Sequence, residues 1–305
     1  MAGFMNLVPS SLALLLGAGI ALAEPATFPT PEAATDAFVA ALQAHDRAAL
    51  LVIFGPESED LLSSGDADRD AAARDAFLAD YDLSKEIVPS GDDRADLQIG
   101  STQWTFPVAL VKSDTGWSFD VAGSRDEILA RRIGENELAA IEVVRAYVDA
   151  QREYAESEHD GNGLQFARRL LSREGRKDGL YWPATDDGEP SPFGPLVAKA
   201  QGEGYRRTAG QDEPPAYHGY QYRILYAQGP NAAGGARDYI LNDRMIGGFA
   251  LIATPANYGN SGVMTFIVNQ DGNVFEQDLG PETKQVAGRI RSFDPGPDWR
   301  KVESQ

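Results

Sequence analysis

Cysteine is absent from this chain of 305 residues. Disulfide bonds, thiolate nucleophiles, zinc–thiolate sites and iron–sulfur clusters are therefore excluded together. Histidine is scarce, with only His45, His159 and His218, and the His-Glu-x-x-His motif of zinc proteases does not occur. Residues 229–235 are glycine-rich but lack the lysine of a phosphate-binding loop. We therefore expect no cofactor.

Positive charge is also under-represented, because 27 lysines and arginines stand against 46 aspartates and glutamates, for a net charge of −19. A surface this acidic repels nucleic acid and anionic lipid headgroups, so neither is expected as a partner. Solvation of the surface is the simpler explanation of the charge, and a binding role for the polyanionic surface is the alternative. At 43% hydrophobic residues, the chain can bury a core and is not expected to be disordered.

The first 23 residues carry no charged side chain. An apolar run at residues 12–22 leads into Ala21-Leu22-Ala23, a small–x–small cleavage pattern, which together predict a signal peptide at residues 1–23 and a periplasmic or secreted location. A positively charged start is missing from this pattern. A membrane anchor is the alternative, but Pro9 interrupts a stretch that would need about 20 apolar residues to span a bilayer. We expect a mature protein that is not integral to the membrane.

Residues 26–125 are predicted to form a first domain in which helices precede an antiparallel sheet. Thr30 can cap a helix that begins at Pro31, and two further helices are predicted at residues 48–53 and 69–81. The pattern then changes to strands, with alternation and a hairpin signal. These strands are placed at residues 95–99, 104–112 and 117–120. Helices followed by a sheet indicate an α+β domain.

Residues 126–305 are predicted to form a second α+β domain. A long helix is expected at residues 124–157, interrupted at 134–136, where Asn136 would cap its second part, and another helix at 164–172. Alternation and turn residues then predict a small antiparallel sheet. Its strands are placed at residues 220–226, 248–254, 263–269 and 274–276.

Five blocks of this chain resemble a bacterial exported family of unknown function, number 2950. The blocks are residues 136–142 (NELAAIE), 147–155 (YVDAQREYA), 178–183 (DGLYWP), 217–220 (YHGY) and 264–272 (MTFIVNQDG). The resemblance covers nearly the whole chain after the leader and implies an extracytoplasmic bacterial protein. The family carries no assigned reaction, so the resemblance supplies no catalytic residues.

Two resemblances concern architecture alone. The first domain is similar to the cone-shaped α+β fold of cystatins and of nuclear transport factor two. The second domain, with its long helix and hairpins, is similar to the globular part of type IV pilins. This chain lacks the N-terminal apolar helix contiguous with a pilin domain, so it is not expected to polymerise as pilins do. Resemblance of fold says little about function.

Three motifs with possible chemistry have simpler structural explanations. Residues 259–262 (GNSG) resemble the nucleophile loop of chymotrypsin-like proteases, but no histidine motif accompanies them and we interpret them as a turn. Glu158, Asp160 and Asn162 alternate like the start of a calcium loop, but the twelfth position, which should be a glutamate, is Arg169. A weak calcium site remains the alternative to a helix stop.

A third motif consists of carboxylates that could act as a pair in glycoside hydrolysis. They are Asp186, Asp187 and Glu189, and they lie in a proline-rich loop. A solvated loop is the simpler interpretation, so no catalytic residue is assigned.

Aromatic residues are the most suggestive feature of the second domain. Trp182, Tyr217, Tyr220 and Tyr222 are a candidate partner surface, with Tyr181 and Tyr226 nearby in sequence. Tyrosines at alternate positions line one face of a strand, and an exposed aromatic face suits a protein or glycan partner. Core packing, with the hydroxyls at its rim, is the alternative.

Two hypotheses for function follow. The first is a non-catalytic exported protein that makes protein–protein contacts in an envelope-associated or secreted assembly. The second is a small-molecule binder or unrecognised hydrolase that uses the pocket of the first domain. An apolar exposed patch on the second domain favours the first hypothesis. An inward-facing polar cluster favours the second, and its candidate members are Tyr81, Trp104, Trp117 and Asp120.

Overall fold

The structure is a computed structural model that describes residues 24–303, except 160, 162, 184–187, 189, 204 and 206–215. The predicted signal peptide lies outside the described residues. Within them, no helix is both long enough and apolar enough to cross a membrane. The helices are α1 (Pro31–Gln43), α2 (Arg47–Phe54), a short 3-10 helix (Pro56–Ser58), α3 (Ala67–Leu83), α4 (Val121–Ala155), α5 (Gly194–Gly202) and α6 (Thr283–Arg289).

The strands form two larger sheets and two short ribbons. In chain order they are β1 (Lys85–Pro89), β2 (Arg94–Ile99), β3 (Trp104–Thr105), β4 (Leu110–Ser113), β5 (Gly116–Phe119), β6 (Tyr220–Leu225), β7 (Ala227–Gln228), β8 (Arg237–Asp238), β9 (Ile240–Leu241), β10 (Arg244–Met245), β11 (Ala250–Pro255), β12 (Met264–Asn269), β13 (Val274–Asp278) and β14 (Arg300–Lys301). The predicted α+β class is therefore confirmed.

The first unit, residues 24–120, packs α1, α2 and α3 on one face of the sheet β1-β2-β4-β5, with β3 beside β2. Alternate residues of β2 are buried beneath the helices, as the period of a half-buried strand requires. Thr30 caps α1 as predicted, since its Oγ1 accepts from the amide of Ala33 at 3.1 Å. The single strand predicted at 104–112 is wrong: it divides into β3 and β4 around Pro107, which has no amide to donate to a ladder.

Helix α4 joins this unit to the rest of the chain and is continuous over 35 residues. The predicted interruption at residues 134–136 is therefore wrong. Gly134 costs a helix about 1 kcal/mol relative to alanine, but neighbouring side chains hold the helix at this point. Asn136 is buried and donates from Nδ2 to the carbonyl of Ser261 at 2.8 Å. The predicted domain boundary at 125/126 falls inside α4.

The second unit comprises the described residues after α4. Its main sheet has the order β14-β13-β12-β11-β6, and the four strands predicted there are confirmed. Helix α4 covers one face of this sheet, and α6 with residues 290–299 covers the other. The helix predicted at 164–172 is wrong, because this segment hydrogen-bonds across the chain instead. Its Phe166 amide donates to the Met245 carbonyl, and Leu170 accepts from the Tyr181 amide.

Candidate functional site

A cluster of titratable and aromatic side chains lies where the two units meet. We name it the His218 cluster, and its members are Asp66, Arg69, Glu203, Tyr205, Tyr217 and His218. Asp66 caps α3, and Arg69 lies in the first turn of that helix. Glu203 follows the last residue of α5. His218 lies in the turn before β6, in a left-handed conformation with φ of 50°. Three separate segments thus supply this site.

Asp66 is the acceptor at the centre of the cluster and is buried. Its Oδ2 accepts from the Tyr205 hydroxyl at 2.7 Å and from the Gly219 amide at 3.1 Å, while its Oδ1 accepts from the Arg69 amide at 3.1 Å. Burial, then the bond to the Asp66 carboxylate, raise the pKa of Tyr205. The Tyr205 hydroxyl therefore stays protonated, and it accepts in turn from the His218 amide at 2.9 Å.

Both ring nitrogens of His218 are engaged. Nδ1 lies 3.3 Å from Nη1 of Arg69, and Nε2 lies 3.2 Å from Oε2 of Glu203. A guanidinium can only donate, so Nδ1 must be the acceptor, and the ring proton is inferred to lie on Nε2, where it is donated to Glu203. Burial lowers the pKa of His218; Glu203 opposes this shift and Arg69 adds to it. The imidazole is therefore held neutral.

Tyr217 completes the cluster beside His218, with ring centroids 4.2 Å apart. Its hydroxyl donates to Oε2 of Glu203 at 3.3 Å. Burial is the largest cause of the raised pKa of this hydroxyl, and the charge of Glu203 raises it further. A histidine next to a carboxylate is the arrangement of a general base. Here, however, the imidazole nitrogens and the carboxylates have partners within the protein. The arrangement joins α3, α5 and the start of β6.

A second set of contacts between the two units lies beside this cluster, around Arg132 of α4. Its Nη2 donates to the carbonyl of Leu61 at 2.7 Å and its Nη1 to that of Asp60 at 3.1 Å, and it also bonds the side chain of Asn260. Asn260 Nδ2 donates to the carbonyls of Asp60 and Ser63, each at 2.9 Å. The loop 259–262 of the second unit is therefore fixed to the first unit.

That loop is the one that resembles a protease nucleophile loop, and the structure shows a turn there. Ser261 is buried, and its Oγ donates to the Asn257 carbonyl at 3.1 Å and accepts from the Asn257 amide at 2.9 Å. These bonds close the turn on itself, so the hydroxyl is structural.

Of the aromatic residues predicted as a partner surface, Trp182 and Tyr220 are buried, so their prediction as exposed contacts is wrong. Trp182 packs against His159, and the Tyr220 hydroxyl donates to the Met264 carbonyl at 2.8 Å. Tyr217 and Tyr222 are half-buried, and the Tyr222 hydroxyl donates to the Tyr217 carbonyl at 3.2 Å. Tyr217 is thus a member of the His218 cluster, and Tyr222 borders it.

The other predicted motifs lie mostly outside the described residues. Asp160 and Asn162 of the calcium motif lie outside the described residues, while Glu158 Oε1 accepts from the Gly163 amide at 3.1 Å. The loop carboxylates at 186, 187 and 189 also lie outside them. Within the part of the chain that is described, no group of three or more histidines and carboxylates has the geometry of a metal site.

The polar cluster proposed for the first unit does not assemble. Tyr81 is buried and its hydroxyl lies near Asp36, whereas Trp104 is exposed. Asp120 caps α4, since its Oδ1 accepts from the Gly123 amide at 2.9 Å. Trp117 packs against the apolar core instead.

Phenylalanine rings fill the space between the helices and the sheet, where a conical domain would hold a ligand. The Phe38 ring has its centroid within 5.1–5.5 Å of those of four others, Phe54, Phe77, Phe106 and Phe119. A cavity of about 690 Å³ lies elsewhere in this unit, between Pro25, the end of α2, strands β4 and β5, and the start of α4.

An apolar patch is exposed on the second unit. We name it the hairpin patch because it surrounds β9 and β10, and its members are Leu164, Tyr226, Leu241 and Ile246, which are 58%, 42%, 47% and 40% exposed. Hydrogen bonds hold the three segments side by side: the Phe166 amide donates to the Met245 carbonyl, and the Tyr239 amide to the Tyr226 carbonyl.

The family described as "Protein of unknown function (DUF2950)" matches residues 25–302, nearly the whole chain. The chain belongs to the DUF2950 family. The resemblance found in the sequence is thereby confirmed. The match spans both units and α4, so the DUF2950 region includes the His218 cluster, the hairpin patch and the cavity of the first unit. Comparisons with the curated proteins and with the solved structures give no match.

Proposed function

We propose that this DUF2950 protein is an exported, non-catalytic protein that binds a partner protein through the hairpin patch. The observation that carries the proposal is the exposure of four large apolar side chains on adjoining segments of the second unit. Exposed apolar side chains grouped on neighbouring segments are typical of protein–protein contact sites. The pilin-like and cone-like resemblances are compatible with a binding role but do not supply one.

The His218 cluster supports the non-catalytic part of the proposal. Its histidine, carboxylates and tyrosine hydroxyls bond one another, and its arginine bonds both His218 and Glu135. Groups so engaged fix the two units together, which supports a structural role for the cluster. The net charge of −19 favours a partner with a basic rim, since opposite charge raises the rate of association.

The test is site-specific cross-linking of the tagged chain in its own cell envelope. A photoreactive residue replaces Leu241 in one variant, and Val52, which is 64% exposed on α2 of the first unit, in the control. The expected result is one cross-linked protein from position 241, lost when Ile246→Glu is added, and none from position 52. Equal products from the two positions, or none from either, would contradict the proposal. Recovery of the tagged chain with Met1 retained in the cytosol would contradict export.

A second candidate function is the binding of a small molecule in the first unit, favoured by the cavity of about 690 Å³. This volume falls within the range of ligand sites, about 300–1,000 Å³. Val111 and Ser118, a cross-strand pair, line it. A Ser118→Trp variant should fill it, and the measurement is native mass spectrometry of protein purified from its own host. A copurified molecule lost in the variant supports this function, and its absence in both contradicts it.

A further inference from the structure

A small pocket of about 290 Å³ lies on the second unit, away from the His218 cluster and the hairpin patch. It is formed between the end of α6 and the segment that follows, on the sheet face opposite α4. Ile267 of β12 forms its floor, and Ile290 and Trp299 supply further apolar wall. Arg289 and Arg291 also line it, and Nη1 of Arg291 donates to the carbonyl of Gly288.

Positive charge is concentrated at this pocket in a protein whose net charge is −19. Arg223 lies beside it and donates from Nη2 to the carbonyls of Ala287 at 2.8 Å and Ile290 at 3.0 Å, so it satisfies the end of α6. Burial lowers the pKa of Arg223, and the nearby charge of Arg291 lowers it further. The charges of Arg223 and Arg291 therefore interact, and Arg289 lines the same pocket.

Among the described residues, no aspartate or glutamate forms an ion pair with Arg223, Arg289 or Arg291, whereas nearby Arg300 bonds Glu276 at 2.9 Å. Asp294 is the one acidic residue in the lining, and its Oδ1 accepts from the backbone amide of Asn231 at 2.8 Å.

We infer that this pocket binds a small organic oxyanion, a carboxylate or phosphate carried on an apolar body. Arg289 supplies a guanidinium whose planar fork matches such groups, and Arg291 adds positive charge and the N–H groups that do not bond Gly288. Ile267, Ile290 and Trp299 bury the apolar body. The volume is at the lower limit for ligand sites, which restricts the body to about the size of one ring. This inference goes beyond the proposed function and does not depend on it.

The test is calorimetric titration of the folded protein with four probes: phenylacetate, phenyl phosphate, 2-phenylethylamine and inorganic phosphate. Either aromatic anion should bind, and the better of the two identifies the head group. The amine and inorganic phosphate should bind at least tenfold more weakly, because the amine carries a positive charge and inorganic phosphate lacks the apolar body. Raising the salt concentration should weaken binding of the anion.

Variants then locate the site. The double variant Arg289→Gln/Arg291→Gln should weaken binding about tenfold, the sum expected for two exposed charge contacts. Asp294→Asn, which keeps the acceptor for Asn231, should tighten it. Arg47→Gln, which alters an exposed arginine of the first unit, is the control and should change nothing. Failure of both aromatic anions to bind, equal binding of the amine, or an unaffected double variant would overturn the inference.

Discussion

Acidification should weaken the joint between the two units through His218. Protonation places a second N–H on the ring, at Nδ1, which lies 3.3 Å from the Arg69 guanidinium and now opposes it. Glu203 faces the other nitrogen and favours the charged ring, as does Asp66, whereas Lys199 disfavours it. Tyr205 and Tyr217 pack against the imidazole and stay neutral over this range, because burial raises both of their pKa values.

The sign follows from the direction of the shift. The pKa of His218 in the folded protein lies below its usual value of 6.5, so the unfolded chain binds the proton more readily. The stabilisation is complete above pH 6.5 and is lost as the pH falls through the folded pKa. A hydrogen bond to a charged group contributes about 1.5–3 kcal/mol. The attraction between Glu203 and the protonated ring offsets part of the loss of the bond to Arg69. We expect a net loss of about 1–2 kcal/mol between pH 8 and 5.

Urea unfolding of the wild type and of His218→Asn at pH 8, 6.5 and 5 measures this loss. Asparagine tolerates the left-handed conformation at this position and does not titrate. The two proteins share every other titratable group, so the difference between the two pH profiles isolates His218. Parallel profiles, or a wild type that gains stability relative to the variant on acidification, would refute the reasoning.

Two predictions concern α4. Arg132→Leu leaves the carbonyls of Asp60 and Leu61 without this donor and should lower the free energy of unfolding in urea by about 2–4 kcal/mol. The control is Arg131→Leu, at the exposed neighbouring residue, which should lower it by less than about 0.5 kcal/mol. Similar losses in the two variants would contradict the role of Arg132 in joining the two units. In Gly134→Ala, the added Cβ has no atom within 4 Å, so the substitution should stabilise the protein by about 0.5–1 kcal/mol. The measurement is the melting temperature, which should rise. A lower melting temperature would contradict the continuity of α4.

The main elements could be predicted because their signals are local. Thr30 followed by Pro31 marks the start of α1, and alternation marks β2 and β6. Where prediction failed, contacts distant in sequence decided the outcome. Gly134 favours a break in the helix, yet Arg132 and Asn136 bond loops of both units and α4 continues through this point.

The candidate site could not be predicted in this way. The His218 cluster joins Asp66 and Arg69 to residues more than 130 positions later in the chain, and no periodicity links such separations. One local signal did exist: His218 precedes Gly219, and both adopt positive φ in a tight turn. Alternating tyrosines indicated one strand face, but they could not show that Tyr220 is buried.

Helix α4 has a mechanical consequence. At about 1.5 Å per residue, its 35 residues form a rod of roughly 50 Å that belongs to both units. A tether between two bodies lets each turn independently, but a rod transmits torque. A partner that binds one unit therefore also fixes the orientation of the other unit.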